Sequence, residues 1–460
     1  MAGTLVMLAV VVWLRQPDEE PGGERESAAG EVVDFHRPGE SEPPEIAILP
    51  PVIHDGPPEV EASDSTPVPL PPLSVLAEPP DWDSLEVYQE TITRDDFERL
   101  LREVFTTSDS WMDFIEIEDE RAVVRTRGAD DESVFFLRFA EDESAASEVP
   151  RTWRPGGALP PASASRPLDG IHIALDPGHI GGKWARMEGR WFSLNGEPPV
   201  TEGDMVLKVA LMLRPVLEDL GARVTLVRDK PEPITPMRPE MLLEVVADEA
   251  DGASPAALQR LAERLFYRTA EIRARAHVVN HVIKPDLVLC LHFNAEAWGD
   301  PAKPTLVDRT HFHILLNGAY TDSEVALADQ RFAMLEKLLQ RTHEEEAALG
   351  ATVADVFAQV SGLPPFTYAA NAPNARQVDG HPYLWARNLL ANRLFGCPVI
   401  FMEPYVMNSR QDYARIQAGD YEGLREIRGE LVPSIYREYV DGLAAGLTAH
   451  YREIREITGE

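Results

Sequence analysis

Two histidines and two glutamates stand where a strand ends or a helix begins. His179 lies in the turn 176–182, directly after the apolar run 171–175. The proline and glycines of this turn predict a sharp strand exit, so that the imidazole can point away from the sheet. An imidazole held on such a rigid edge is suited to binding a metal ion.

Glu202 opens the apolar-periodic segment 205–220. Thr201 is positioned as the N-cap of a helix over this segment, with Asp204 as its capping-box partner. A carboxylate in the first turn is favoured by the positive end of the helix, and there it can face a cation.

His292 and Glu403 each end an apolar run, 287–291 and 397–402, that is typical of a buried parallel strand. The carboxyl ends of parallel strands meet at one edge of an open α/β sheet. We therefore expect both side chains to lie near the turn that carries His179.

His179, Glu202 and His292 form a set of two histidines and one glutamate. Zinc in such a set keeps an open fourth position for water, which is typical of a catalytic site. Bound zinc lowers the pKa of that water to about 7 and polarises a carbonyl. Glu403 is then available to accept the proton of the water and pass it to a leaving amine. Each residue alone has a structural alternative, but the four together favour the site.

These motifs resemble those of the zinc-dependent N-acetylmuramoyl-L-alanine amidases, the type-3 amidase family of cell-wall hydrolases. The matching segments are 176–182, Glu202, 221–228, 292–294, 398–403 and Asn408-Ser409. The resemblance covers residues 170–451. It implies that His179, Glu202 and His292 bind zinc and that Glu403 is the catalytic carboxylate. It also implies cleavage of the amide between N-acetylmuramic acid and L-alanine in peptidoglycan.

The sequence departs from the family pattern around this turn. Ile180 replaces a glycine, and the segment between His179 and Glu202 is longer than usual. Glu188 and Glu197 in that segment are rival ligands. Glu202 is preferred because the helical pattern follows it, as in the family.

The family also has an arginine, ahead of the last strand, that contacts substrate. Arg387 is the closest match and is the candidate substrate-binding residue, with Arg393 as its rival. The structural alternative for either is a solvated helix charge.

Three further polar residues have two interpretations each. His311 and His313 alternate along one strand, so they share a face. A polar sheet face is favoured there over support of a metal ligand. Asp176 is either the hydrogen-bond partner of a zinc-bound imidazole or a turn-forming residue.

Composition narrows the classes of partner. With 77 Asp and Glu against 43 Lys and Arg, the net charge is −34, which argues against nucleic-acid binding because phosphate neutralisation needs cations. Cys290 and Cys397 fall in predicted strands and are expected to be core residues. A bridge between neighbouring strands stays open at this stage.

The N-terminal region predicts attachment to a membrane. Residues 1–15 are mostly apolar, although a spanning helix needs about 20 residues, and an uncleaved anchor is favoured over a removed signal. Residues 16–80 are rich in Pro and Glu and predict a disordered tether. Together they predict an enzyme held at the cytoplasmic membrane and acting in the periplasm or elsewhere outside the cytoplasm.

Three regions follow the tether. Residues 81–148 predict a small α+β module, for which wall binding, partner binding and autoinhibition all stay open. The partner that this module would bind is a protein activator or regulator. Residues 149–168 are a linker. Residues 169–460 predict a catalytic domain of α/β class, with a mostly parallel sheet flanked by helices.

Within the catalytic domain, one long helix is expected over 323–346. Segments 230–265 and 350–382 are expected to be insertions, the second a loop near the site. Two alternative functions stay open beside the amidase. One is a zinc carboxypeptidase on a similar fold, and the other is a catalytically silent peptidoglycan-binding or regulatory protein.

Overall fold

A computed structural model describes residues 72–250, 252–298, 305–369 and 372–458. The predicted anchor, 1–15, and the part of the predicted tether up to residue 71 lie outside the described residues. Among the helices that are described, none combines the length and the apolar character needed to cross a bilayer.

The described strands are short and mostly apolar. In chain order they are β1 (Ile115–Ile117), β2 (Arg121–Arg125), β3 (Val134–Arg138), β4 (Ala162–Ser163), β5 (His172–Pro177), β6 (Trp191–Phe192), β7 (Val200–Thr201), β8 (Arg223–Leu226), β9 (Leu287–Leu291), β10 (Phe312–Leu316), β11 (Arg376–Gln377), β12 (Leu384–Ala386), β13 (Val399–Pro404), β14 (Arg425–Ile427), β15 (Glu430–Val432) and β16 (Ile457–Thr458).

The α-helices alternate with the strands of the central sheet. They are α1 (Arg94–Leu100), α2 (Glu202–Asp219), α3 (Leu243–Glu249), α4 (Pro255–Leu265), α5 (Glu271–His277), α6 (Asp322–Val325), α7 (Ala328–Leu339), α8 (Thr342–Ser361), α9 (Leu390–Leu394), α10 (Arg410–Gln417) and α11 (Ile435–Ile454). Three π-helical segments continue α1, α4 and α5: Leu101–Phe105, Phe266–Ala270 and Val278–Ile283.

Seven strands form the central sheet in the order β11-β12-β10-β13-β9-β5-β8. β8, β5, β9 and β13 run parallel to one another. β10 is antiparallel to β13, β12 is parallel to β10, and β11 is antiparallel to β12. The prediction of a mostly parallel α/β sheet flanked by helices is confirmed. The carboxyl ends of β5, β9 and β13 therefore lie side by side at one edge.

Apolar side chains on both faces bury this sheet. One face packs against α2, α8 and α11, which together form the largest core cluster. The other face packs against a second cluster that includes Trp153, Val279 and Phe395. β9 is buried at every position, as expected for a parallel strand covered on both sides.

The helix expected over 323–346 is in fact divided into α6, α7 and the start of α8. Arg341 separates α7 from α8 with a left-handed backbone, φ 58°. The expected loop 350–382 also differs, because its first part belongs to α8. Leu349, Val353 and Phe357 recur at a spacing of four residues and pack into the core, which is the helical periodicity that the loop interpretation overlooked.

The region before the sheet contains the predicted small α+β arrangement. β1, β2 and β3 form an antiparallel sheet, and its core cluster includes Met334 and Leu338 of α7. The buried Arg331 of α7 donates hydrogen bonds to the carbonyls of Arg125 and Arg127, at 3.0 and 2.6 Å. The module thus packs directly on α7. The boundaries proposed from the sequence, 81–148 and 149–168, stay predictions.

Cys290 and Cys397 are both free and buried. The expectation that they are core residues agrees with their place in the second core cluster. Burial raises the pKa of both thiols, that of Cys397 to about 12.

Candidate metal centre

The turn after β5 holds His179 in an unusual backbone conformation. Its φ of 55° lies in the left-handed region, which a non-glycine residue adopts only where its surroundings hold it there. The buried Arg275 donates to the carbonyls of Pro177 and His179, both at 2.7 Å. Arg228 donates to the carbonyl of Gly178 at 3.3 Å. The buried guanidinium groups of Arg275 and Arg228 thus fix the backbone of this turn through hydrogen bonds to its carbonyls.

Two glycines allow the close approaches that this site requires. A Cβ added to Gly178 would lie 2.1 Å from the ring of His292, and one added to Gly203 would lie 2.4 Å from the carbonyl of Ile180. The turn, the strand end and the start of α2 are therefore in direct contact. Larger side chains at these glycines would separate the histidines from Glu202.

His179, Glu202 and His292 come together as the sequence predicts. Glu202 is 1% exposed, and its Oε1 lies 3.3 Å from Nε2 of His179 and 3.2 Å from Nδ1 of His292. One ligand atom from each residue lies within 4.8 Å of the others. The backbone N–H of Phe293 also donates to Glu202 Oε1, at 3.1 Å.

This donor set fits a zinc ion. Two imidazoles and one carboxylate are ligands that zinc prefers, and three protein ligands leave it a fourth position. Burial opposes ionisation of Glu202, but His179 and Arg190 hold the pKa of its carboxyl well below the ordinary value. Burial likewise opposes protonation of His179, but Glu202 and Glu188 raise the pKa of its imidazole to about 9. The negative charges of Glu202 and Glu188 thus favour a cation at this cluster.

Glu188 contacts the opposite side of the His179 ring. Its Oε1 lies 2.7 Å from Nδ1 of His179, and its Oε2 accepts the backbone N–H of Ile180 at 2.8 Å. Because an ionised carboxylate only accepts hydrogen bonds, Nδ1 donates to Glu188 and Nε2 faces Glu202. Glu188, a rival ligand from the sequence, is therefore the outer partner of a candidate ligand.

Asp176 and Glu197 have other contacts. Asp176 accepts a hydrogen bond from Arg275 Nη1 at 2.9 Å, which links it to the turn and not to an imidazole. Glu197 accepts the hydroxyl of Tyr413 at 2.6 Å. Neither belongs to the His179 group. Of the two interpretations of Asp176, the turn-forming one describes these contacts.

The predicted cap at the start of α2 is wrong in detail. Thr201 makes no side-chain capping hydrogen bond. The carboxylate of Asp204 instead accepts the backbone N–H of Gly182, at 3.0 Å. The tertiary contact between α2 and the His179 turn has replaced the local capping box.

Glu403 lies in β13, beside the strand that ends at His292. The backbone N–H of His292 donates to the carbonyl of Met402 at 3.2 Å, which fixes the two strand ends side by side. Burial raises the pKa of the Glu403 carboxyl; the charge of Glu202 raises it further, and His292 opposes this. His292 itself stacks on Phe401, with ring centroids 4.2 Å apart.

Arg190 is a charged residue of the site that the sequence interpretation did not single out. Its Nη1 lies 3.6 Å from Glu202 Oε2. Glu202 first, and then Glu403, raise the pKa of this guanidinium. No spacing rule marks Arg190, because it reaches the site through the pairing of β6 with β7.

Neither candidate substrate arginine contacts the three candidate ligands among the described residues. Arg387 follows β12, which is separated from β13 by β10, and its side chain hydrogen-bonds Tyr368. Arg393 is buried in α9 and donates to Asn388 Oδ1 at 2.5 Å. Arg387 faces the aromatic side chains beside Glu403, so its substrate role stays a prediction.

His313 in β10 and His311 just before it lie on the same side, as expected, and both rings pack near Phe366. His311 Nε2 lies 3.0 Å from Glu296 Oε1. His313 is the register partner of Glu403 and packs near Phe366, with ring centroids 4.8 Å apart. Burial, aided by His311, lowers the pKa of His313 to about 3. These histidines therefore line the sheet face next to Glu403 without belonging to the metal-ligand group.

Ile180, where the resemblance led us to expect a glycine, packs against segment 230–265 and the residues that follow it. Ile180 is 1% exposed and packs in a cluster with Leu242, Val246 and Phe266. These partners come from segment 230–265 and its continuation, where an insertion was expected. The side chain of Ile180 is therefore buried by this segment.

Solved structures match over 62% of this chain. Ami1 of Mycobacterium abscessus is matched over 99% of its length, at 16% identity and a TM-score of 0.35. Ami1 of Mycobacterium smegmatis is matched over 99%, at 17% identity and a TM-score of 0.35. The CwlD amidase of Clostridioides difficile, solved in complex with the GerS lipoprotein, is matched over 98%, at 13% identity and a TM-score of 0.33.

Both Ami1 proteins are N-acetylmuramyl-L-alanine amidases, and CwlD is an amidase. No protein-family model matches the sequence, and no curated protein matches it.

Proposed function

We propose that this chain is a zinc-dependent hydrolase that cleaves the amide between N-acetylmuramic acid and L-alanine in peptidoglycan. The observation that carries the proposal is the buried group of His179, Glu202 and His292 with Glu403 on the neighbouring strand end. This arrangement combines a three-residue ligand set with a separate carboxyl that is suited to proton transfer.

Each residue of the site has a role in this proposal. His179, Glu202 and His292 hold the zinc ion, which when bound supplies an activated water and polarises the scissile carbonyl. Glu403 accepts the proton of the attacking water and delivers it to the amide nitrogen as the C–N bond breaks. Burial raises the pKa of the Glu403 carboxyl in the direction of neutral pH. A carboxyl whose pKa lies closer to the working pH is better suited to accepting and then returning a proton.

Residues around the ligands orient them and the substrate. Glu188 holds the His179 ring with Nε2 towards the other ligands. Arg387, beside Tyr368, is proposed to contact the peptide or glycan part of the substrate. The aromatic side chains near His313 provide an apolar surface on the same side of Glu403.

The proposed activity places the enzyme outside the cytoplasm, where peptidoglycan lies. We propose that residues 1–15 attach it to the cytoplasmic membrane and that the tether provides reach towards the wall up to residue 71, because Pro72 and Ser74 are already bonded to α7. Contact with a protein activator or regulator is proposed for the 81–148 module, which packs against α7.

The test uses the full-length chain and purified muropeptides, with products identified by mass spectrometry. We expect release of an intact stem peptide, loss of activity with a chelator, and recovery when Zn²⁺ is returned. The His292→Ala variant serves as a metal-site control and is expected to bind no stoichiometric zinc.

Two results would contradict the proposal in different ways. Release of a single terminal amino acid would indicate a carboxypeptidase. Binding of muropeptides without any cleavage, in zinc-loaded protein, would indicate a catalytically silent peptidoglycan-binding protein.

A further inference from the structure

The two carboxylate oxygens of Glu202 have different surroundings. Oε1 faces both candidate ligand histidines and the backbone N–H of Phe293, at 3.1 to 3.3 Å. Oε2 is buried and has no hydrogen-bond partner among the described residues. Its ion-pair partner is Nη1 of Arg190, at 3.6 Å. One oxygen therefore points to the metal side and the other to a guanidinium.

The backbone around Arg190 is fixed to the same helix start that carries Glu202. The N–H of Glu202 donates to the carbonyl of Arg190 at 3.2 Å, and the N–H of Arg190 donates to the carbonyl of Ala185 at 2.9 Å. The next residue, Trp191, pairs with Thr201 in the short β6–β7 ladder. These contacts hold the guanidinium on the Oε2 side of the carboxylate.

General neutralisation of charge does not account for this geometry. A cation that only balanced Glu188, Glu202 and Glu403 would approach whichever oxygen is most exposed, and Arg190 is itself 37% exposed. Arg190 instead lies at the buried oxygen that no other group satisfies. Burying an unpaired carboxylate oxygen is costly, so this contact decides which way the carboxylate turns.

We propose that Arg190 is a positioning residue that retains Oε2 of Glu202, so that the carboxylate binds the metal through Oε1 alone. This proposal rests on the proposed function, which supplies both the zinc ion and the hydrolytic reaction. A carboxylate that turned freely could bind through both oxygens and occupy the coordination position that hydrolysis requires. Arg190 thereby keeps Glu202 from occupying that open coordination position with its second oxygen.

The experiment replaces zinc with Co²⁺ in the full-length chain, because the visible absorption of Co²⁺ is intense when four-coordinate and several-fold weaker when five- or six-coordinate. We expect the Arg190→Met protein to show the weaker absorption. We also expect its metal affinity or its kcat to fall about 10–100-fold, with little change in KM. Arg190→Lys keeps the charge without the planar fork and should give an intermediate spectrum.

The matched control is Arg186→Met. Arg186 lies on the same loop, is exposed, and stacks on Trp191 with its guanidinium 3.9 Å from the ring centroid. It should leave the Co²⁺ spectrum unchanged. An unchanged spectrum in both Arg190 variants would overturn the proposal, and so would an equal change in the Arg186 variant.

The two proposals fail separately. A wild-type protein with an intense Co²⁺ spectrum that is sensitive to Arg190, but without cleavage of the muramyl–alanine amide, would refute the function and support the positioning role. A wild-type protein that takes up no Co²⁺ would overturn both.

Discussion

The sheet edge and the loop between Gly181 and Thr201 contribute to the site in different ways. The edge presents His292 and Glu403 on adjacent parallel strands, whose ladder fixes both backbones. The loop presents Glu188 and Arg190, held by one two-residue ladder and a few turns. In the proposed function, the edge thus supplies groups that bind metal and move protons, and the loop supplies groups that orient them.

The groups proposed to carry out the reaction therefore lie at strand ends, and the groups proposed to orient them lie on a loop. Strand ends hold a side chain within narrow limits, which suits a ligand or a general base. A loop tolerates a change of length and composition, so the groups that it carries can differ between related proteins. In this chain the loop places Glu188 and Arg190 beside the candidate ligands.

The largest expected effect comes from the sheet edge. Glu403→Gln should lower kcat by about 10²–10⁴-fold, because the proton acceptor is lost, while bound zinc stays stoichiometric. Turnover of muropeptides and metal content by atomic absorption are measured on the same samples. Loss of zinc along with activity would show that Glu403 is a ligand and would erase the division between ligand and base.

A smaller effect is expected from the loop. Glu188→Ala removes the partner of the His179 Nδ1–H, and should weaken zinc binding by about 10–100-fold in competition with a chelator. Glu188→Gln keeps an acceptor and should lose less. Glu197→Ala is the control, because that carboxylate contacts Tyr413 instead. Equal losses in the Glu188 and Glu197 alanine variants would mean that the loop acts only through its folding.

The smallest effect on turnover is expected where the loop meets segment 230–265. Ile180→Ala should lower the free energy of unfolding by about 2–5 kcal/mol, because it leaves a cavity in a packed apolar cluster. Zinc affinity should change little. Urea unfolding followed by fluorescence measures the stability, with Val282→Ala as the control at an exposed position. A loss of zinc without a loss of stability would give Ile180 a direct part in the site.

The sequence predicted the parallel part of the sheet well, because buried parallel strands appear as continuous apolar runs. It predicted the helices less well where the backbone turns sharply. Arg341 ends α7 with a left-handed conformation that no sequence pattern marks, and the expected helix 323–346 is divided there. Leu349, Val353 and Phe357 of α8 recur at every fourth position of the sequence. The prolines that follow, at 364 and 365, nevertheless favoured the interpretation of this region as a loop.

The sequence by itself determined the four chemical groups of the site. His179, Glu202, His292 and Glu403 stand at strand exits or a helix start, and local patterns locate such ends. Only the tertiary structure decided which neighbours these groups have. Glu188 instead of Asp176 reaches the His179 ring, Asp204 bonds Gly182 instead of capping its own helix, and Arg190 meets Oε2 of Glu202. These contacts join segments through loop geometry and packing, which are set by the whole fold and leave no spacing rule in the chain.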